Sequence, residues 1–138
     1  MDYKEEFTQL IEENRLDDAR ILLEKHKLYA SEEPFYYGNM GWILNHMERY
    51  QEAEVFLRKG LVYFPEDGWI YSQLGFSLDR QGNIRDGLDA LLKALELGFD
   101  EPWLHGEIGW GYKELGNLKD AITYFENGLL DDERNVWL

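Results

Sequence analysis

Pro102-Trp103-Leu104-His105-Gly106-Glu107-Ile108-Gly109-Trp110 is the stretch whose reading decides the fold. Glycines and tryptophans crowd it and a proline precedes them, so it looks unsuited to a helix. The pattern nevertheless recurs upstream at a fixed interval of 34 residues: Gly109-Trp110 is matched by Gly75-Phe76 and Gly41-Trp42, and Trp103 by Trp69 and Phe35. The same step forward leads from Trp103 to Trp137. A period between about 20 and 50 residues, kept without slippage, marks a solenoid or array.

Working outward, the apolar spacing predicts helices throughout and no period-2 strand. Residues 2–13 and 16–29 form the first pair, joined at Asn14-Arg15. Further pairs follow at 34–47 with 50–63, 68–81 with 84–97, and 102–115 with 118–130. Ser31-Glu32-Glu33-Pro34 and Phe64-Pro65-Glu66-Asp67-Gly68 break the chain between pairs. Proline suits the first turn of a helix and disfavours helix in the residue before it. Asn83 and Asn117, each with an aspartate three residues on, are expected N-caps. Connections this short force neighbouring helices to run antiparallel.

Superposing the repeats assigns roles. Gly41, Gly75 and Gly109 recur in the first helix of a pair, Ala19, Ala53, Gly87 and Ala121 early in the second, and Gly60, Ala94 and Gly128 later in it. A mid-helix glycine costs roughly 1 kcal/mol against alanine. Its recurrence implies helices that approach too closely for a side chain. Large apolar residues between these positions, such as Leu23, Leu57, Leu91 and Phe125, are expected core.

Together, the helix–turn–helix period, the small residues, the bulky Tyr37 and Tyr71 and the boundary proline resemble the tetratricopeptide repeat (TPR) family. Residues 34–67, 68–101 and 102–135 resemble full units, and 1–33 an N-terminal edge unit with Phe7 in the glycine position. His105 departs from the pattern at the bulky position, Gly87 at the alanine, and Phe99 and Glu133 at the proline. The resemblance implies an all-α, right-handed superhelical solenoid of four antiparallel helix pairs. Asn135-Val136-Trp137-Leu138 looks like the opening of another unit, so 136–138 is expected to start a fifth, in a fragment of a longer array. Such an edge could stack on another copy.

In the TPR family the first helices line a groove that holds a peptide. Carried over, the stripe reads Phe35, Gly38, Asn39, Trp42, His46; Trp69, Ser72, Gln73, Phe76, Arg80; and Trp103, Gly106, Glu107, Trp110, Glu114. Its steps keep the residues on one helix face. The aromatic and polar members are the candidate binding residues. Two readings are open. Either aromatic rings wall pockets whose floors are Gly38, Ser72 and Gly106, or the rings pack on neighbouring units and the small residues make room for them. Chaperone-binding TPRs grip a C-terminal carboxylate with lysine, arginine and asparagine at the second, fifth, sixth and ninth residues of a unit; these positions carry no lysine or arginine here, and only Asn39 fits that pattern. Glu107 and Glu114 suit a neutral or basic protein segment instead.

The bulk properties narrow the remaining classes. A net charge of −14 disfavours nucleic acid, anionic membrane and an RNA-binding helical repeat. The absence of cysteine excludes disulfides and thiolate chemistry. His26, His46 and His105 lack metal-ligand spacing, and His26 and His105 fall at packing positions. Gly106, Gly109 and Gly111 lie within a helix with no phosphate-loop lysine after them, so neither a cofactor nor an enzyme is expected. No secretory signal or spanning apolar run is evident, which points to a soluble, cytoplasmic protein. The expectation is an interaction module; a structural or self-assembling segment and a regulatory peptide sensor are the alternatives.

Overall fold

The structure, a computed structural model, describes residues 2–27 and 33–137, with the side chains of 130–137 outside that description. Among the described residues the chain is all helical: α1 (Tyr3–Glu12), α2 (Leu16–Lys25), α3 (Pro34–His46), α4 (Tyr50–Tyr63), α5 (Gly68–Arg80), α6 (Ile84–Glu96), α7 (Pro102–Glu114) and α8 (Leu118–Trp137). Successive helices pair as α1/α2, α3/α4, α5/α6 and α7/α8, and each second helix also packs on the first helix of the next pair. The first helices touch one another too, α3 against α5 and, far less extensively, α5 against α7.

The recurrent glycines seat knobs from the partner helix. A Cβ on Gly41 would overlap Leu57, one on Gly75 would lie 2.6 Å from Leu91, and one on Gly109 2.9 Å from Phe125. Leu57 and Leu91 are fully buried there, each contributing about 2–3 kcal/mol by leaving water. Gly60 plays the reciprocal part: a Cβ there would come 2.6 Å from the Tyr37 side chain.

Within each pair the turn uses one left-handed residue at the same place in the period: Asn14 (φ 57°), Glu48 (φ 60°), Gly82 (φ 91°) and Gly116 (φ 85°). Glycine suits this geometry and a glutamate does not. The buried core forms two clusters. One gathers α1 to α5 with Ala90; the other joins Leu88, Leu91 and Ala94 of α6 to Leu104 and Ile108 of α7.

Three expectations are corrected. The second helix stops at Lys25 rather than Tyr29; residues 28–32, where the break was expected, lie outside the described residues. Asn83 makes no side-chain cap, whereas Asn117 accepts from the Asp120 amide at 3.2 Å and donates to its carboxylate at 2.6 Å. Finally, α8 continues as one helix to Trp137 rather than ending near residue 130; Leu138 is outside the description. The cause is local. Gly98 (φ 93°) ends the preceding pair and Pro65 breaks the one before it, but their counterparts are Asp132 and Glu133, and neither residue obliges a helix to stop.

Candidate functional site

The face formed by α3, α5 and α7 carries the candidate stripe, and its members have different surroundings. At the N-terminal end, Phe35 is packed edge-on against Tyr3 and Phe7, with ring centroids 5.8 and 5.5 Å away. Asn39 turns back on its own helix and donates to the Phe35 carbonyl at 2.9 Å. Trp69 lies across Gly38, where a Cβ would overlap its six-membered ring. That ring fills a gap left by the previous unit.

Farther along, six stripe residues from three units converge. Trp42, His46, Gln73, Phe76, Trp103 and Glu107 line a hollow of about 320 Å³. His46 is held in place from within α3: its Nδ1 lies 2.9 Å from the Trp42 carbonyl and its ring 3.9 Å from the indole. Trp103 stands 40 % exposed at one wall, braced edge-on by Phe99. Rigid aromatic walls with an amide, an acid and an imidazole suit recognition of a segment with both apolar and polar groups.

A crossbar bounds this hollow. The Arg80 guanidinium lies 4.2 Å from the Phe76 ring centroid and 5.7 Å from that of Trp110. It also donates to both Glu107 oxygens, at 3.1 and 3.4 Å. The planar cation is thereby stacked and forked at once, a geometry lysine could not copy. Beyond the crossbar a second hollow, about 580 Å³ and more open, is lined by Asp79, Arg80, Gly106, Glu107, Trp110 and Phe125. Glu114 lies outside both hollows.

Beneath the stripe lies a polar seam that the sequence reading passed over. Asn45 is buried and its amide donates to the Gln73 carbonyl at 3.1 Å and to the Gln73 side-chain oxygen at 3.4 Å. One period on, the equivalent pair is Asp79 and Glu107. Asp79 is 3 % exposed and neither of its oxygens has a hydrogen-bond partner among the described residues. Burial first, and then the negative Glu107, push its carboxyl up to about 7, against the opposing pull of Arg80. Its carboxylate occupies the space in which a Gly87 Cβ would sit, so Gly87 departs from the alanine pattern to admit an acid. The available signal was Asn45 and Asp79 at one position of the period, each following a core leucine.

Residues 36–62 match the tetratricopeptide repeat family. The match spans most of α3 and α4, one helix pair of the array. Among solved structures, the chain resembles a crystal structure of MamA at 19% identity and a TM-score of 0.79, over 96% of this chain and 77% of that one. It resembles the MamA RS-1 ArsTM double mutant at 20% identity and 0.78, over 96% and 74%, and MamA MSR-1 at 24% and 0.71, over 91% and 72%. At these identities the likeness is one of fold. No curated protein matches the chain.

The other TPR positions behave as packing. His105, in the bulky position, is buried, with Nε2 2.6 Å from Asp100 and its ring stacked on Tyr124. His26 is half-buried and stacked on Tyr3. No helix among the described residues is long and apolar enough to cross a membrane, and no cluster of three or more metal-ligating side chains occurs among them.

Proposed function

We propose that this TPR array binds a neutral or basic peptide segment of a partner protein along the face of α3, α5 and α7. The observation that carries the reading is the hollow of Trp42, His46, Gln73, Phe76, Trp103 and Glu107, in which three units each contribute an aromatic wall or a polar group. Aromatic anchors ringed by a few polar groups are the usual source of affinity in such sites. Phe35, Asn39 and Trp69 then act as the frame, because their rings and amide are occupied within the chain. Glu107 and Glu114 favour lysine or arginine in the segment, in keeping with the net charge of −14. The lack of cysteine suits a reducing compartment, and the reading is of a cytoplasmic interaction module without catalytic chemistry.

Isothermal titration of short neutral and basic peptides checks this. Trp42→Ala and Phe76→Ala are expected to weaken the best peptide by about tenfold or more, with helicity intact. Blocking the peptide's C-terminal carboxylate is expected to change nothing, since the face lacks a carboxylate clamp. Unchanged affinity in both variants would overturn the proposal.

A further inference from the structure

The walls of the first hollow carry three aromatic rings and one sign of charge. Trp42, Phe76 and Trp103 come from successive units, and Glu107 is the only formally charged residue among those that line it. His46 adds an acceptor. Its Nδ1 lies 2.9 Å from the Trp42 carbonyl, which can only accept, so the proton of the neutral ring sits on Nδ1 and Nε2 carries a lone pair. Trp103 is a wall here rather than a plug. Trp69 sinks over Gly38, where no side chain stands in its way. Ser72 holds that position in the next unit, and Trp103 remains 40 % exposed. At about 320 Å³ the hollow is small for a ligand site, so it takes one side chain rather than a folded element.

We propose that this hollow receives an arginine side chain from the partner segment, its guanidinium stacked on the aromatic wall and donating to Glu107. The proposal rests on the groove-binding reading above and names the side chain that anchors the segment. The molecule makes the same arrangement with a residue of its own. Arg80, which bounds the hollow without lining it, has its guanidinium 4.2 Å from the Phe76 ring centroid and donates to both Glu107 oxygens, at 3.1 and 3.4 Å. A carboxylate offers about four acceptor positions, and Arg80 uses two of them. A second guanidinium shares Glu107 and finds a further acceptor in His46 Nε2. Repulsion from Arg80 opposes its entry; the Asp79 carboxyl beside Arg80 and Glu107, and the net charge of −14, favour it. Arginine is selected over lysine because its flat cation stacks and forks at once, whereas an ammonium is a compact, strongly hydrated point charge.

The test uses three blocked amino acids: N-acetyl-arginine amide, N-acetyl-lysine amide and N-acetyl-citrulline amide. Each is titrated into the full chain while the indole N–H signals of Trp42 and Trp103 are followed by NMR. The arginine probe is expected to shift both signals with a dissociation constant on the order of 1 mM. The lysine probe and the uncharged citrulline probe should bind at least about fivefold more weakly. Glu107→Gln and Trp103→Ala should each weaken the arginine probe by about fivefold or more. Arg80→Ala, which frees both Glu107 oxygens, should instead tighten it by about threefold. Circular dichroism checks that each variant folds, and if Trp103→Ala does not, Glu107→Gln decides. Equal binding of the three probes overturns the proposal, as does arginine binding that survives both weakening variants. Looser binding to Arg80→Ala overturns it too, because Arg80 would then be part of the site and not a rival for Glu107. If the arginine probe shifts nothing, the proposal falls; peptides that bind in the isothermal titration above then leave the groove reading standing, and peptides that fail there remove both.

Discussion

The joint between the second and third units and the joint between the third and fourth are built from the same positions and come out differently. In the first, Asn45 donates to Gln73 and Trp69 covers Gly38. In the second, the amides are replaced by Asp79 and Glu107, Gly38 by the buried Ser72, and α7 touches α5 far less than α5 touches α3. An amide pair can donate and accept within itself. Two carboxylates cannot, and the buried one has to take up a proton or bear the cost of its charge. The first joint is therefore a closed seam and the second a loose one; the first hollow borders both joints and the second hollow the loose one.

Exchanging the acid for the amide tests this contrast most strongly. The Asp79 carboxyl sits at about 7 when folded, above its ordinary 3.8. Below the lower value both states hold the proton and the residue has no effect. As pH rises from about 4 to about 7 the unfolded chain gives up its proton first, so stability falls, and above that window the loss is constant. Asp79→Asn is expected to raise stability by about 2–4 kcal/mol at pH 8 and by less at pH 5. Asn45→Asp should import the same fall into the closed joint. Urea denaturation at the two pH values reads both, and a pH-independent gap would show that the seam does not depend on charge.

The glycines Gly38 and Gly106 come next. Gly38→Ala must expel the Trp69 ring and is expected to cost about 2 kcal/mol. Gly106→Ala meets open space and should instead gain about 0.5–1 kcal/mol from helix propensity alone. Opposite signs in the same denaturation assay would sharpen the comparison, and equal losses would end it. The smallest effect belongs to the turn at Glu48. Its left-handed backbone makes Glu48→Gly stabilising by about 0.5–1 kcal/mol, seen as a modest rise in Tm.

Much of this architecture was legible in the sequence because an array repeats its reasons. One glycine opposite one leucine is ambiguous; Gly41/Leu57, Gly75/Leu91 and Gly109/Phe125 at one spacing are not. Helix ends followed from Pro34, Pro65, Gly82 and Gly116 for the same cause. The reading failed where the period lost its punctuation, at Asp132 and Glu133, and where a cap depended on one rotamer, at Asn83. The groove was legible as a stripe but not as two hollows. Which rings are spent inside the array depends on how far one unit rotates on the next, and composition does not encode that angle. Asp79 escaped notice because a polar residue in a helix is normally assigned to solvent; only its neighbour Gly87 hinted that it points inward.

Arg80 has a consequence for the shape of any ligand. It spans from Phe76 to Trp110 and is tied down by Glu107, with both ionic partners partly open to water. A segment that reaches from one hollow to the other must either arch over this bar or trade places with it. Mobile ions screen charges farther apart than about 8 Å at physiological strength, so this pair, 3.1 Å apart and partly shielded from water, keeps most of its attraction. The face therefore presents two short compartments, and a ligand long enough to fill both is selected by whether its backbone can rise over a fixed bar.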